Sequence, residues 1–156
     1  MDTVEHTLAH LTKNQKGRDA KLFTKGPAFT SHPTPTLLIT SPECGPSPST
    51  LDNNFMQDGA GLFPTLTWTL PSTIDAFTVV EYLFVVEDAD APLLSTPAFH
   101  GAVYRIPASK TVIEQSDLEK AGKGKGELKG GLRCAKTLTG AAYFAPRPLR
   151  AHGPHR

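Results

Sequence analysis

Between Pro64 and Leu70 apolar residues alternate with threonines, placing Leu66, Trp68 and Leu70 on one face and Thr65, Thr67 and Thr69 on the other. This period of two predicts a half-buried antiparallel strand. A different pattern follows. From Val79 to Val86 the chain is almost continuously apolar (Val79, Val80, Tyr82, Leu83, Phe84, Val85, Val86), which predicts a buried strand beginning near Phe77. It ends at two carboxylates, Asp88 and Asp90, then Ala91-Pro92. A second β-rich run, Phe99 to Ile106, carries His100 near its start. Thr36 to Thr40 predicts a further short strand, and Lys110 to Leu118 a strand end with a helical turn. The helical period shows best at the N-terminus, where Val4, Leu8 and Leu11 fall at i, i+4 and i+7 within residues 2–16. Asp2 and Glu5 are spaced as a capping box, and Gly17 supplies the stop. Its single narrow stripe predicts a flap packed on something larger.

The segments between these elements are rich in breakers. Residues 26–35 form a proline-rich connector, 41–50 (SPECGPSPST) a stretch of turns, and 51–61 a loop. The 14 prolines and 13 glycines among 156 residues reinforce a picture of many short elements. Short alternating strands, proline-rich connections and little helix predict an all-β-dominated fold, an antiparallel β-sandwich with peripheral helices. One domain is expected from length. Within it, residues 1–35 are read as N-terminal helix and connector and 36–156 as the main body.

Net charge is +1, so no global field recruits nucleic acid, and binding must come from a local site. No apolar run reaches about 18 residues, so no stable membrane insertion is expected. The N-terminus carries acids and no central apolar block, unlike a secretory signal. Cys44 and Cys134 lie far apart and read as free thiols of a cytoplasmic protein.

Candidate chemistry is sparse. Asp88 and Asp90, two apart on an extended backbone, share a face. They fit a divalent-cation pair, an acid/base pair or a turn, and hard metals demand more oxygens than two. His100 at the start of an apolar strand fits a core residue or a ligand. His152 and His155 form a polar cluster with Arg156, but the intervening Gly153-Pro154 breaks helical zinc spacing, and no matching ligand pair appears. Residues 120–131 (KAGKGKGELKGG) lack the order of a phosphate-binding loop and read as a solvated mobile loop. No nucleophile elbow is present. No catalytic residue, metal or cofactor is assigned.

Taken in order, SPECGPS, FPTLTW, VEDADAP, HGAVYRIPA, the glycine-rich loop and the closing PRPLRAHGPHR resemble the phosphatidylethanolamine-binding protein family, and filamentous-fungal members most. The resemblance covers residues 36–156. It implies a β-sandwich with a small anion pocket at one edge. The family's Asp-Pro-Asp-x-Pro signature falls on Asp88, Asp90 and Pro92, its pocket histidine on His100, its rim proline on Pro148, and its Gly-x-His-Arg-Tyr signature on Gly153, His155 and Arg156. The implied ligand-binding set is therefore Asp88, Asp90, His100, Pro148 and His155.

Several positions depart from the family pattern. Ala89 replaces a proline, Gly101 a tryptophan, and Leu149 and Ala151 a proline and a glycine. The chain stops before the signature tyrosine, so a C-terminally truncated member is expected, with the last core strand and C-terminal helix missing. The function implied is non-catalytic binding of a small anion, a phosphorylated headgroup or a carboxylate. One alternative is an accessory role in a fungal specialised-metabolite pathway that couples maleic anhydride units into nonadride-type dimers, with His100 or His155 transferring protons. Another is inhibition of a kinase or serine carboxypeptidase, which requires a protein partner.

Overall fold

The computed structural model describes every residue except Met1 and Lys123, and the side chain of Asp2 is also outside the description. The chain divides into two compact units. One comprises residues 1–33, 86–100 and 147–156, and the other residues 34–85 and 101–146.

The larger unit carries the apolar core. β1 (Leu38–Ser41), β2 (Gly45–Pro46), β3 (Leu66–Thr69) and, later in the chain, a short strand at Val112–Ile113 form a four-stranded sheet. β3 is central, antiparallel to β1 through Leu38–Thr69, Ile39–Trp68 and Thr40–Thr67, and to the Val112–Ile113 strand through Leu66–Ile113. Facing hydroxyls of Thr40 and Thr67 lie 2.8 Å apart across that pair, a cross-strand contact of the kind that fixes register. The expected alternation is seen in Trp68, which is buried, and Thr69, which is exposed. A second sheet has the strand order β4 (Glu81–Asp88), β5 (Ala98–Pro107) and a two-residue strand, Arg133–Cys134. With Val112–Ile113 as β6 and Arg133–Cys134 as β7, β5 and β7 run antiparallel.

Phe63, Trp68, Val103, Ile106, Ile113, Leu128, Leu132 and Ala142 make the core cluster. Edge-to-face pairs link Phe63 to Tyr143 (5.0 Å) and Trp68 to Tyr82 (5.3 Å), arrangements that satisfy the ring quadrupoles. Burial pushes the Tyr143 phenol up to about 12.

Three expectations need correction. The apolar run at Val79–Val86 does not become strand from its beginning: residues 76–78 form a 3-10 turn capped by the Asp75 carboxylate, Phe77 and Val80 are exposed, and β4 starts only at Glu81. The lysine/glycine stretch 120–131 is not wholly solvated. Leu128, 1% exposed, anchors it in the core, and Lys120 bridges to Leu128. Residues 26–35 include a 3-10 turn at Pro27–Phe29, which follows two others at Asp19–Lys21 and Phe23–Lys25.

In the smaller unit α1 spans Asp2–Thr12, shorter than the expected 2–16. Val4 and Leu11 are about three-quarters exposed, whereas Ala9 and Thr12 are buried. The apolar stripe is therefore not the packed face. The capping box expected from Asp2 lies outside the described side chains. Gly17 takes φ +78°, a left-handed turn that glycine adopts without a Cβ clash.

Candidate anion site

β4 ends at Asp88, and the next three residues turn tightly. Asp88 Oδ1 accepts the backbone N–H of Asp90 at 2.7 Å, so the first acid closes the turn that carries the second. Ala89, where the sequence resemblance leads one to expect a proline, is 2% exposed. Its N–H donates to the carbonyl of Arg156 (2.7 Å), and its own carbonyl accepts from the backbone N–H of Arg18 (3.0 Å). A proline here would have no N–H for the bond to Arg156.

Asp90 is 1% exposed and fully engaged. Its Oδ1 accepts from the Gly17 N–H at 2.8 Å and from Arg156 Nη2 at 3.2 Å, and its Oδ2 accepts from Arg156 N and Nε, both at 3.0 Å. Burial opposes its charge, but the guanidinium and the two backbone N–H groups prevail and hold the carboxyl down at about 2. Asp90 is thus an ionised anchor for the 153–156 turn and for the end of the α1 segment.

The free carboxylate oxygen of Asp88 faces an imidazole. Asp88 Oδ2 lies 2.7 Å from His155 Nδ1, with both side chains about nine-tenths buried. His155 Nε2 in turn lies 2.7 Å from His152 Nδ1, and His152 Nε2 lies 2.8 Å from the carbonyl of Thr12, the last residue of α1. His152 is 4% exposed. The turn between the two rings contains Gly153 at φ +81° and Pro154, whose carbonyl accepts from Lys16 Nζ at 2.8 Å.

Three of the five residues implied by the resemblance, Asp88, Asp90 and His155, thus belong to one hydrogen-bonded array. His100 is buried at the third position of β5, and Pro148 is half-buried in the segment leading to the array. All five lie in the same compact unit. Residues 12, 17 and 152 were not among those expected. His152 was visible only as a histidine three positions from another, and its link to Thr12 crosses 140 residues of sequence. An Asp–His pair shielded from water is an arrangement that fixes the orientation of the imidazole and can present a ring N–H to an anionic oxygen.

Concavities occur in the other unit. One of about 610 Å³ is lined by Glu43, Asp52, Phe63 and Glu114 among others, and one of about 520 Å³ by Lys120, Lys125, Cys134 and Lys136 among others. Neither includes an expected site residue. Burial raises the Cys134 thiol above its ordinary value despite the nearby Lys120 and Arg133. Both cysteines are free.

The family profile for phosphatidylethanolamine-binding protein matches residues 45–156. The chain belongs to the phosphatidylethanolamine-binding protein family. Two fungal relatives, both named phomoidride biosynthesis cluster protein B, are similar over nearly the whole chain. The one from Talaromyces stipitatus is 41% identical, covering 98% of this chain and 62% of the relative. The one from Fungal sp. is 38% identical, covering 98% and 72%. The chain therefore spans about three-fifths of the first relative's length. Among solved structures, E. coli YbcL, described as a new member of the mammalian PEBP family, matches with a TM-score of 0.61 at 22% identity, covering 78% of this chain and 72% of that one. That likeness establishes the fold, mostly antiparallel sheet, with one α-helix among the described residues. No helix among the described residues is long and apolar enough to cross a membrane.

Proposed function

We propose that this chain is a small-molecule-binding member of the phosphatidylethanolamine-binding protein family that serves a fungal specialised-metabolite pathway. Its ligand is a small anion, a carboxylate in preference to a phosphorylated headgroup. The observation that carries this reading is the buried Asp88–His155 pair, 2.7 Å apart, on the residues where the family's two signatures fall. Asp90 and Arg156 neutralise each other beside it, which leaves the pair free to set the charge offered to a ligand. The names of the fungal relatives support the pathway, and a carboxylate is the form that the ring-opened maleic anhydride units suggested by the sequence resemblance take in water. In this role His155 supplies N–H to an anionic oxygen and can exchange a proton with it. His100 and Pro148 complete the lining in this reading.

Calorimetric titration of the protein with maleate and with phosphorylethanolamine tests it. Saturable binding of maleate, weakened at least tenfold in His155→Ala, is expected. Failure of both compounds to bind would overturn the proposal, and tighter binding of phosphorylethanolamine would return the ligand to the headgroup class.

A further inference from the structure

The hydrogen-bond chain from Thr12 to Asp88 has a proton count that its geometry dictates. Thr12 O can only accept, so His152 Nε2 carries a hydrogen. One hydrogen lies between His152 Nδ1 and His155 Nε2, and another between His155 Nδ1 and Asp88 Oδ2. Three bonds thus need three protons, while two neutral imidazoles and a carboxylate bring two. If all three contacts are hydrogen bonds, the trio holds one further proton. It has three places: on the Asp88 carboxyl, with both rings neutral; on His155, as imidazolium; or on His152, as imidazolium. In each case the trio carries no net charge. Without that proton, two acceptors would face each other at 2.7–2.8 Å out of water, a costly arrangement.

We propose that His152 is a positioning residue for the anion site and that the trio His152–His155–Asp88 stores one exchangeable proton there. His152 holds the Nε2 side of His155, and α1 holds His152. The carbonyl end of α1 is the negative pole of that helix and favours the proton's presence on His152. The other charged groups around the trio are already committed. Asp90 is bound to Arg156 and to the Gly17 N–H, Lys16 donates to Pro154 O, and Asp19 lies 3.2 Å from Arg156.

The proposal rests on the anion-binding reading for its consequence but not for its content. An anionic oxygen that takes the His155 Nε2 hydrogen replaces His152 as its partner. If the stored proton passes to the ligand, a carboxylate becomes its neutral acid and the trio is left with one negative charge, with the His152 ring displaced from its contact with His155 Nε2. The site so described accepts acids whose protonation changes on binding, and His152 is what makes the stored proton possible.

The test uses ligand-free, isotope-labelled wild-type protein, so that its outcome is independent of ligand binding. Long-range proton–nitrogen spectra of the two rings, read with the carboxyl carbon shift of Asp88 at neutral pH, count the protons. Three protons over the four ring nitrogens and the Asp88 carboxyl are expected. A count of two, with the carboxylate ionised and both rings neutral, would overturn the proposal. In His152→Phe the aromatic volume stays but the bonds go. His155 is then expected to collapse to a single Nδ1–H form bonded to Asp88, with its Nε2 unprotonated. An unchanged His155 spectrum in that variant would reduce His152 to packing and sink the positioning role. Should the variant fail to fold, the wild-type count decides alone.

Discussion

Arg156 donates three hydrogen bonds to Asp90, from Nε and the backbone N to Oδ2 at 3.0 Å and from Nη2 to Oδ1 at 3.2 Å. This fork, completed by the Gly17 N–H, joins the turn after β4 to the 153–156 turn. Asp90→Asn leaves one acceptor oxygen for four N–H donors and removes the charge. A loss of about 2–3 kcal/mol in urea unfolding is expected. Arg156→Lys keeps the charge but not the planar fork, and a smaller loss is expected. Equal stability of wild type and Asp90→Asn would show that the fork is incidental.

Acid should expose the same contact. Asp90 titrates at about 2 in the folded protein against an ordinary value of 3.8. A depressed folded value means that the unfolded chain takes up the proton first. Its stabilisation is therefore present in full above the ordinary value and is lost as pH falls through 3.8 toward 2. Melting temperature is expected to drop across that window in wild type and to drop less in Asp90→Asn. Parallel curves would contradict the assignment.

At Gly101, where the sequence resemblance leads one to expect a tryptophan, the backbone itself leaves no room for a side chain. A Cβ on Gly101 would lie 2.4 Å from the carbonyl oxygen of Ala142 and 3.3 Å from the Cα of Tyr143, its bridge partner. The backbone has taken the space the side chain would need. Gly101→Ala is expected to cost about 1–3 kcal/mol, read as a lowered melting midpoint. A neutral result would mean that the bridge relaxes freely.

For α1 the sequence pattern and the structure select opposite faces, and the difference is measurable. Val4→Lys changes an exposed position and is expected to shift stability by less than about 0.5 kcal/mol. Ala9→Leu enlarges a fully buried one and is expected to cost about 1–3 kcal/mol. The reverse order would restore the Val4–Leu8–Leu11 stripe as the packed face.

These positions also show how far the sequence could be read. β3 was legible because alternating Leu, Thr and Trp encode face directly. The α1 face was not, because the Val4–Leu8–Leu11 stripe points to one face while the buried positions are Ala9 and Thr12, whose small side chains carry little hydrophobic signal. The beginning of β4 was misjudged for a similar reason: Val79 and Val80 carry strand propensity, but Asp75 caps a turn just before them. In the site, Asp88 and Asp90 read alike and turn out to differ. One faces an imidazole; the other is consumed by Arg156. That division depends on residues 17 and 156, more than 60 positions away on either side. His152 was legible as part of a polar cluster with His155 and Arg156, but its bond to the Thr12 carbonyl was not, because no pattern of side chains reveals a backbone acceptor.

The central claim is that anions bind at the Asp88–His155 pair. Chemical-shift mapping during titration with maleate addresses it most directly. The account predicts saturable changes centred on the rings of His155 and His152 and on the Asp88 carboxyl, abolished in His155→Ala. Changes confined to Lys120, Lys125 and Lys136, the lysines of the 520 Å³ cavity, would contradict it and move the binding site to the other unit.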